Sequence, residues 1–310
     1  MRLYMRYEGY TRLLMRRAEL LFVTPLLCFG MAWMGGCSNE SEPDHPRLVP
    51  GVAIQDVRFQ SVALGRQMPY RVFLPAEITP GEKLPVVYLL HGRGPDFRDW
   101  SNHSDVASYA LRGLILVMPE GGSSFYMNAV RTPHDRYEDY IVHDLVADVE
   151  ARFPAKSGRA SRAIVGISMG GFGAITLALR HPERYAFAGG LSPALDVPER
   201  RFNPGRPGQW WLFRGIFGPM GSIERDTRDP FQLIQTADPK AIPYLYLTAG
   251  EQEPLLEPNQ RFASRLAQRH FTYEFHTSPG GHDWNEWNGQ IPGCFERLLA
   301  VLNSSTQSRP

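Results

Sequence analysis

Ala163-Ile164-Val165-Gly166-Ile167-Ser168-Met169-Gly170-Gly171 is the stretch on which the reading of this chain turns. The apolar run Ala163 to Ile167 has the length and composition of a strand buried on both faces, and Gly171 to Arg180 carries a helical pattern. Between them lies Gly166-x-Ser168-x-Gly170, a pattern that at a strand-to-helix junction makes a sharp turn and lifts a serine hydroxyl above a sheet. Such a turn strains the backbone at Ser168, so nothing larger than glycine fits at Gly166 and Gly170. A serine hydroxyl is a poor nucleophile until a base takes its proton, and an acid must hold that base in one tautomer.

The flanking sequence repeats the strand-then-helix pattern. Pro85 to Leu90, Leu114 to Met118, Ala186 to Leu191 and Ile242 to Leu247 are further short apolar runs, while Tyr137 to Phe153 and Asn259 to Arg269 are periodic as helices. Val52 to Pro75 instead alternates, with a break at Gly65, as two antiparallel edge strands would. The expected fold is α/β: a mostly parallel central sheet with antiparallel N-terminal edge strands and helices on both faces, its ligands bound beyond the carboxyl ends of the strands. Residues 198–228 interrupt the alternation with Trp210, Trp211, Phe213 and Phe217 and read as an insertion, either a cap over the active site or a surface excursion whose aromatics pack on the body.

The expected base is His282, in Pro279-Gly280-Gly281-His282-Asp283-Trp284, after the last expected strand, Tyr273 to His276. His181 ends a helix, His143 lies within one and His276 belongs to a strand, so each has a structural role at hand. The acid should follow the strand Tyr244 to Leu247, where Ala249-Gly250-Glu251-Gln252-Glu253 supplies two carboxylates. An oxyanion needs backbone N–H donors. Met169, just after the serine, supplies one, and His91-Gly92-Arg93-Gly94 the other, from Arg93 or else from Gly92.

Charge narrows the partners. The chain has 33 basic and 32 acidic residues among 310, a formal net charge of +1, which leaves no excess to neutralise a nucleic-acid backbone. There is no His-Glu-x-x-His pattern, and the three cysteines, Cys28, Cys37 and Cys294, form no metal-binding spacing; neither metal nor cofactor is expected. Arg16-Arg17 and the apolar run Leu20 to Trp33 resemble a secretory signal, and Gly35-Gly36-Cys37 resembles a lipoprotein cleavage site. The expected organisation is a signal peptide over 1–36, lipidation at Cys37, an extended tether over 37–51 and a catalytic domain over 52–305. That would place the protein in the cell envelope, lipid-anchored to a membrane; an ordinary cleaved signal would instead leave it secreted or periplasmic.

Tyr88-Leu89-Leu90-His91-Gly92, Met118 to Tyr126, Tyr137-Glu138-Asp139-Tyr140, Gly166 to Gly171 and Gly280 to Trp284 together resemble the esterase D family of α/β hydrolases. That family includes feruloyl esterases, small-ester esterases, S-formylglutathione hydrolases and mycolyltransferases, and the resemblance runs from about Val52 to Leu302. The order serine, acid, histidine is that of the fold. The resemblance implies Ser168 as nucleophile, His282 as base, Arg93 and Met169 as oxyanion donors, and Gly92 and Trp284 as substrate contacts. The family commonly has aspartate where Gly250-x-x-Glu253 has glutamate, an alignment that selects Glu253 over Glu251. Arg93 stands at a position often apolar in the family, which would put a cation beside the acyl pocket. The implied activity is hydrolysis of a small-molecule or carbohydrate-linked carboxylic ester through an acyl-enzyme. The same constellation can transfer the acyl group to an alcohol or sugar, and a relative that kept only the fold would be a binding lipoprotein.

Overall fold

The structure, a computed structural model, describes residues 43–307. The expected signal peptide, Cys37 and the first part of the expected tether lie outside those residues. Eight strands form one sheet in the order β1-β2-β4-β3-β5-β6-β7-β8. They are β1 (Val52–Ser61), β2 (Arg66–Pro75), β3 (Val86–Leu90), β4 (Ile115–Pro119), β5 (Arg162–Ile167), β6 (Phe187–Leu191), β7 (Tyr244–Gly250) and β8 (Tyr273–Ser278). β1 and β2 are an antiparallel pair in register from Val52↔Pro75 to Ser61↔Arg66, and β2 meets β4 antiparallel. From β4 to β8 every pairing is parallel.

The unbroken apolar runs are explained by burial on two sides. In β3, Val86, Tyr88 and Leu90 point into one core, and Val87 and Leu89 into the other. The first core receives α4 (Met169–Arg180), α7 (Pro230–Thr236) and α8 (Leu256–Gln268), and the second receives α1 (Asp99–His103) and α9 (Trp284–Gln307). The expected helix over 137–153 is three pieces: α2 (Tyr137–Asp139), a wider π turn over Tyr140–Leu145 and α3 (Val146–Arg152). A π turn inserts one residue into the helical repeat, which is why a simple periodicity describes the segment only approximately.

Two features are not legible in the sequence. The described part of the nominal tether is held against the domain: Arg71, buried in β2, donates from both terminal nitrogens to Asp44 at 2.9 and 2.7 Å and from Nε to Asp56 at 2.7 Å. The Arg47 amide also donates to Ser101 O at 2.8 Å. A buried guanidinium needs carboxylate partners, and Asp44 is one of them, so the ordered domain begins before Val52. The second feature is α9. Its Trp287, Ile291, Cys294, Phe295, Leu298 and Leu302 recur every three or four residues and pack on the sheet, although Gly289, Pro292 and Gly293 interrupt the pattern in sequence.

Residues between β6 and β7 carry the insertion, with α5 (Pro207–Phe217) and α6 (Ile223–Asp226). Arg225 ties its ends together, donating to Pro198 O at 2.7 Å and from Nε to Gly218 O at 3.0 Å. Phe213 and Phe217 face inward and pack edge-on against Phe125, 5.5 and 5.7 Å between ring centres, and Phe217 does the same against Phe172 of α4 at 5.5 Å. Trp211, on the other side of α5, is 54% exposed. The aromatics of this insertion therefore divide between anchoring and presentation.

Candidate active site

Ser168 joins β5 to α4 with φ +52° and ψ −112°, a region that costs a non-glycine residue about 1–3 kcal/mol and persists only where the surroundings impose it. Here they do. The Ser168 amide donates to Leu191 O at 2.9 Å, and its carbonyl accepts from Phe172 N at 3.0 Å and Ala194 N at 3.1 Å. A Cβ on Gly166 would lie 2.2 Å from the Gly170 carbonyl carbon, and one on Gly170 would lie 2.1 Å from Leu90 O. Both positions admit glycine alone.

His282 arrives on the loop between β8 and α9, with Nε2 2.8 Å from Ser168 Oγ and Nδ1 2.5 Å from Glu253 Oε2. An ionised carboxylate only accepts hydrogen bonds, so Nδ1 carries the proton and the bare Nε2 accepts from the serine hydroxyl. Of the two carboxylates after β7, Glu253 meets the imidazole. Its side chain is buried, and its other oxygen accepts from Gly250 N at 2.9 Å. Glu251 is exposed, with Thr277 Oγ1 3.4 Å from its carboxylate. Asp283 caps the start of α9, accepting from Asn285 N at 2.9 Å and Glu286 N at 3.2 Å.

The acid and base loops are joined backbone to backbone. Glu251 N donates to Ser278 O and Gln252 N to Gly280 O, each at 2.9 Å. A Cβ on Gly250 would meet Gly280 O at 2.6 Å, so this approach too requires glycine. Two residues of α9, neither singled out from sequence, complete the support. Trp287 stands edge-on to the His282 ring at 5.1 Å while its indole N–H donates to Ser192 Oγ at 3.0 Å. Glu286, whose carboxyl is pushed above the ordinary carboxylate range by burial, accepts from Ser278 Oγ at 2.8 Å. In the sequence both are obscured, because Gly289, Pro292 and Gly293 interrupt the pattern of α9.

Opposite His282, the loop after β3 brings Gly92 against the nucleophile: a Cβ there would lie 3.8 Å from Ser168 Cβ. His91, buried beneath, has Nδ1 2.7 Å from Gly92 O, and its Nε2 accepts from Gly121 N at 2.9 Å. That Nε2 is also 3.5 Å from Glu120 Oε1, whose charge favours a proton there. The shorter contact has its hydrogen on the amide and fits a neutral ring protonated at Nδ1. Because a trans peptide points its C=O and N–H in opposite directions, fixing Gly92 O toward His91 turns the Arg93 N–H away from it. Met169 is the first residue of α4, so its N–H has no acceptor within the helix. The Arg93 side chain is exposed. Trp284 lies within an aromatic group: its N–H donates to Asp99 Oδ1 at 3.2 Å, and its ring stacks on His103 at 5.4 Å and meets Trp100 edge-on at 5.5 Å.

Residues 61–298 match the family described as "Putative esterase". The chain is 24% identical over 265 residues to an acetyl esterase of Caldicellulosiruptor saccharolyticus, covering 81% of this chain and 99% of that protein. It is 30% identical over 257 residues to an esterase of Mycobacterium tuberculosis, and that match takes in 73% of this chain and 54%, about half, of the mycobacterial protein. Among solved structures it resembles the fluorophosphonate-binding serine hydrolase F of Staphylococcus aureus, with 26% identity, 81% of this chain and 98% of that one covered, and a TM-score of 0.68. It also resembles an S-formylglutathione hydrolase of the same organism, with 25% identity, 81% and 99% covered, and a TM-score of 0.67. The chain belongs to this esterase family and has its α/β-hydrolase fold.

Proposed function

We propose that the protein hydrolyses a carboxylic ester through an acyl-enzyme formed on Ser168. The observation that carries this reading is the hydrogen-bonded line from Ser168 Oγ through His282 to the buried Glu253. His282 Nε2 takes the Ser168 proton as Oγ attacks the ester carbonyl, and the N–H groups of Met169 and Arg93 receive the developing oxyanion. Collapse of the tetrahedral intermediate breaks the bond to the alcohol, which leaves with the proton held on His282. Water then attacks the acyl-enzyme, giving its proton to His282, and the acid departs as Ser168 regains its hydroxyl. Glu253 stays ionised and stabilises the imidazolium in both halves.

One relative matched along nearly its whole length is an acetyl esterase, so p-nitrophenyl acetate is the first substrate to try. Ser168→Ala should lower its hydrolysis by roughly four or more orders of magnitude with the fold intact by circular dichroism. Activity close to that of the unaltered protein would remove Ser168 from the role.

We further propose export and lipid attachment at Cys37. Support comes from the apolar run Leu20 to Trp33 followed by Gly35-Gly36-Cys37. Mass spectrometry of the mature N-terminus in the native host should find acyl chains on Cys37; an unmodified cysteine or cleavage elsewhere refutes it.

A further inference from the structure

The insertion over 198–228 holds itself on the body with one side of its aromatics, and the other side forms a surface. Of the seven large apolar side chains exposed among the described residues, Phe202, Trp211, Met220 and Ile223 belong to this segment. Phe202 meets Trp210 edge-on at 5.5 Å between ring centres, and Trp210 meets Trp211 at 4.8 Å. A single exposed apolar residue needs no explanation, whereas a contiguous group marks an interaction site. The indole N–H groups agree. Those of Trp100, Trp284 and Trp287 each donate inside the protein, while those of Trp210 and Trp211 make no hydrogen bond among the described residues.

Cations stand around these rings. Arg214 lies over Trp210, 5.4 Å from its centre, and Arg131 over Trp211 at 6.0 Å. Arg201 and Arg206, both exposed, line a cleft with Trp210. Among the described residues none of these four has a carboxylate partner, although neighbours do: Arg200 pairs with Asp196 at 2.8 Å, and Glu199 with Arg261. The acidic groups left nearby are the half-buried Asp135 and, on α6, Glu224 and Asp226. Formal net charge over the whole chain is only +1, so the excess is local.

The support beneath is fixed. Phe213 and Phe217 hold α5 in the ring cluster with Phe125, and the Arg131 and Val130 amides donate to Gly215 O and Ile216 O at 2.9 and 3.2 Å. Exposed rings, free indole N–H groups and unpaired guanidinium heads together suit the headgroup level of a bilayer. Tryptophan settles there with its ring on the apolar side and its N–H in water. Arginine lays its stem along apolar surface and turns its head outward, and clustered cations are drawn to anionic lipids. A second copy docked through the same face would instead set four unpaired arginines against four more, and like charges opposed across an interface are costly.

We propose that this insertion is a membrane-contact surface, in which Phe202, Trp210 and Trp211 enter the headgroup region of a bilayer and the four arginines meet anionic lipids. It rests on neither the esterase reading nor attachment at Cys37, and it sets how the domain lies on a membrane rather than whether the chain reaches one.

The test is quenching of tryptophan fluorescence by brominated lipid. The full chain carrying Trp33→Phe, which removes the tryptophan of the apolar run, is reconstituted into vesicles of three parts phosphatidylcholine, brominated in its acyl chains near the headgroup, to one part phosphatidylglycerol. Adding Trp211→Ala should reduce the quenching at least about twofold, because Trp210 is then the one tryptophan left on this surface. A similar loss is expected for Arg131→Gln combined with Arg214→Gln, for vesicles of phosphatidylcholine alone, and at about 1 M sodium chloride, where charges are screened beyond about 3 Å. None of the three side chains is buried, and thermal unfolding checks that each variant folds. Quenching that is the same with and without Trp211 would mean that this face does not enter the bilayer. Quenching indifferent to salt and to phosphatidylglycerol would contradict the anionic lipids. If quenching is absent and the mass of the chain by light scattering in detergent halves on Trp211→Ala, the face belongs to a second copy and the proposal is wrong.

Discussion

His282 and Glu253 meet at 2.5 Å across two loops that are themselves hydrogen-bonded together, and the remaining oxygen of Glu253 is held by the Gly250 amide. The carboxylate is thus fixed before it meets the imidazole. A neutral amide in its place cannot stabilise the imidazolium and can present its NH2 to Nδ1, which favours the wrong tautomer. Glu253→Gln should therefore lower kcat for p-nitrophenyl acetate by about 10⁴-fold, with KM little changed. Glu251→Gln should stay within a few-fold of the unaltered protein. Steady-state kinetics of the two variants side by side checks this, and a reversed order would reassign the acid.

His91 touches no part of the proposed reaction, yet it holds Gly92 O and accepts from the Gly121 amide. As a positioning residue for the Arg93 N–H, it should affect the transition state more than the bound ester. His91→Ala is expected to reduce kcat by about 10²- to 10³-fold, the loss typical of one oxyanion donor, with KM within a few-fold and an unchanged pH profile. A fall confined to thermal stability would leave His91 a purely structural residue.

The glycines near the serine differ in what they exclude. On Gly170 a methyl group would sit 2.1 Å from Leu90 O, a backbone atom that also accepts the Trp100 indole N–H. Gly170→Ala should therefore be destabilised by more than about 4 kcal/mol or fail to fold. On Gly92 the nearest atoms are 3.8 Å away, so Gly92→Ala should fold and unfold much as the unaltered protein does, while its methyl group crowds the space above Ser168 and slows hydrolysis. Urea titration of both variants distinguishes the two effects.

Much of this architecture is legible in the sequence because burial on two faces leaves an unambiguous mark. The runs at β3, β4, β5 and β6 have no polar alternation to confuse them, and the Gly166-x-Ser168-x-Gly170 turn sits where strand gives way to helix. Less legible are features that depend on distant partners. Nothing near Arg71 indicates that Asp44 and Asp56 will both reach it, so residues 43–50 read as a free tether. Glu251 and Glu253 are two residues apart, and only the fold shows which faces His282. The supports at Trp287 and Glu286 were obscured because Pro292 and two glycines disguise the helix that carries them.

One carboxyl far from the serine gives a stability signature with pH. Asp229 caps α7, accepting from Phe231 N at 2.8 Å, and burial pushes its pKa up from 3.8 to about 6. The folded state thus holds a proton that the unfolded chain releases, so stability falls as pH rises from about 4 to about 6 and the loss is complete above that. Asn at this position keeps the acceptor without the charge. Asp229→Asn should match the unaltered protein at pH 3.5 and exceed it at pH 8, by at most roughly 3 kcal/mol at about 1.4 kcal/mol per pH unit. Equal stabilities at pH 8 would mean that Asp229 titrates normally.

The central claim is that Ser168 is a nucleophile activated by His282, and a fluorophosphonate probe reads that directly. Intact-mass measurement followed by peptide mapping should find a single adduct, on Ser168. The adduct should be absent in Ser168→Ala and form far more slowly in His282→Ala. A folded protein that takes no label, or takes it on another residue, would contradict the account.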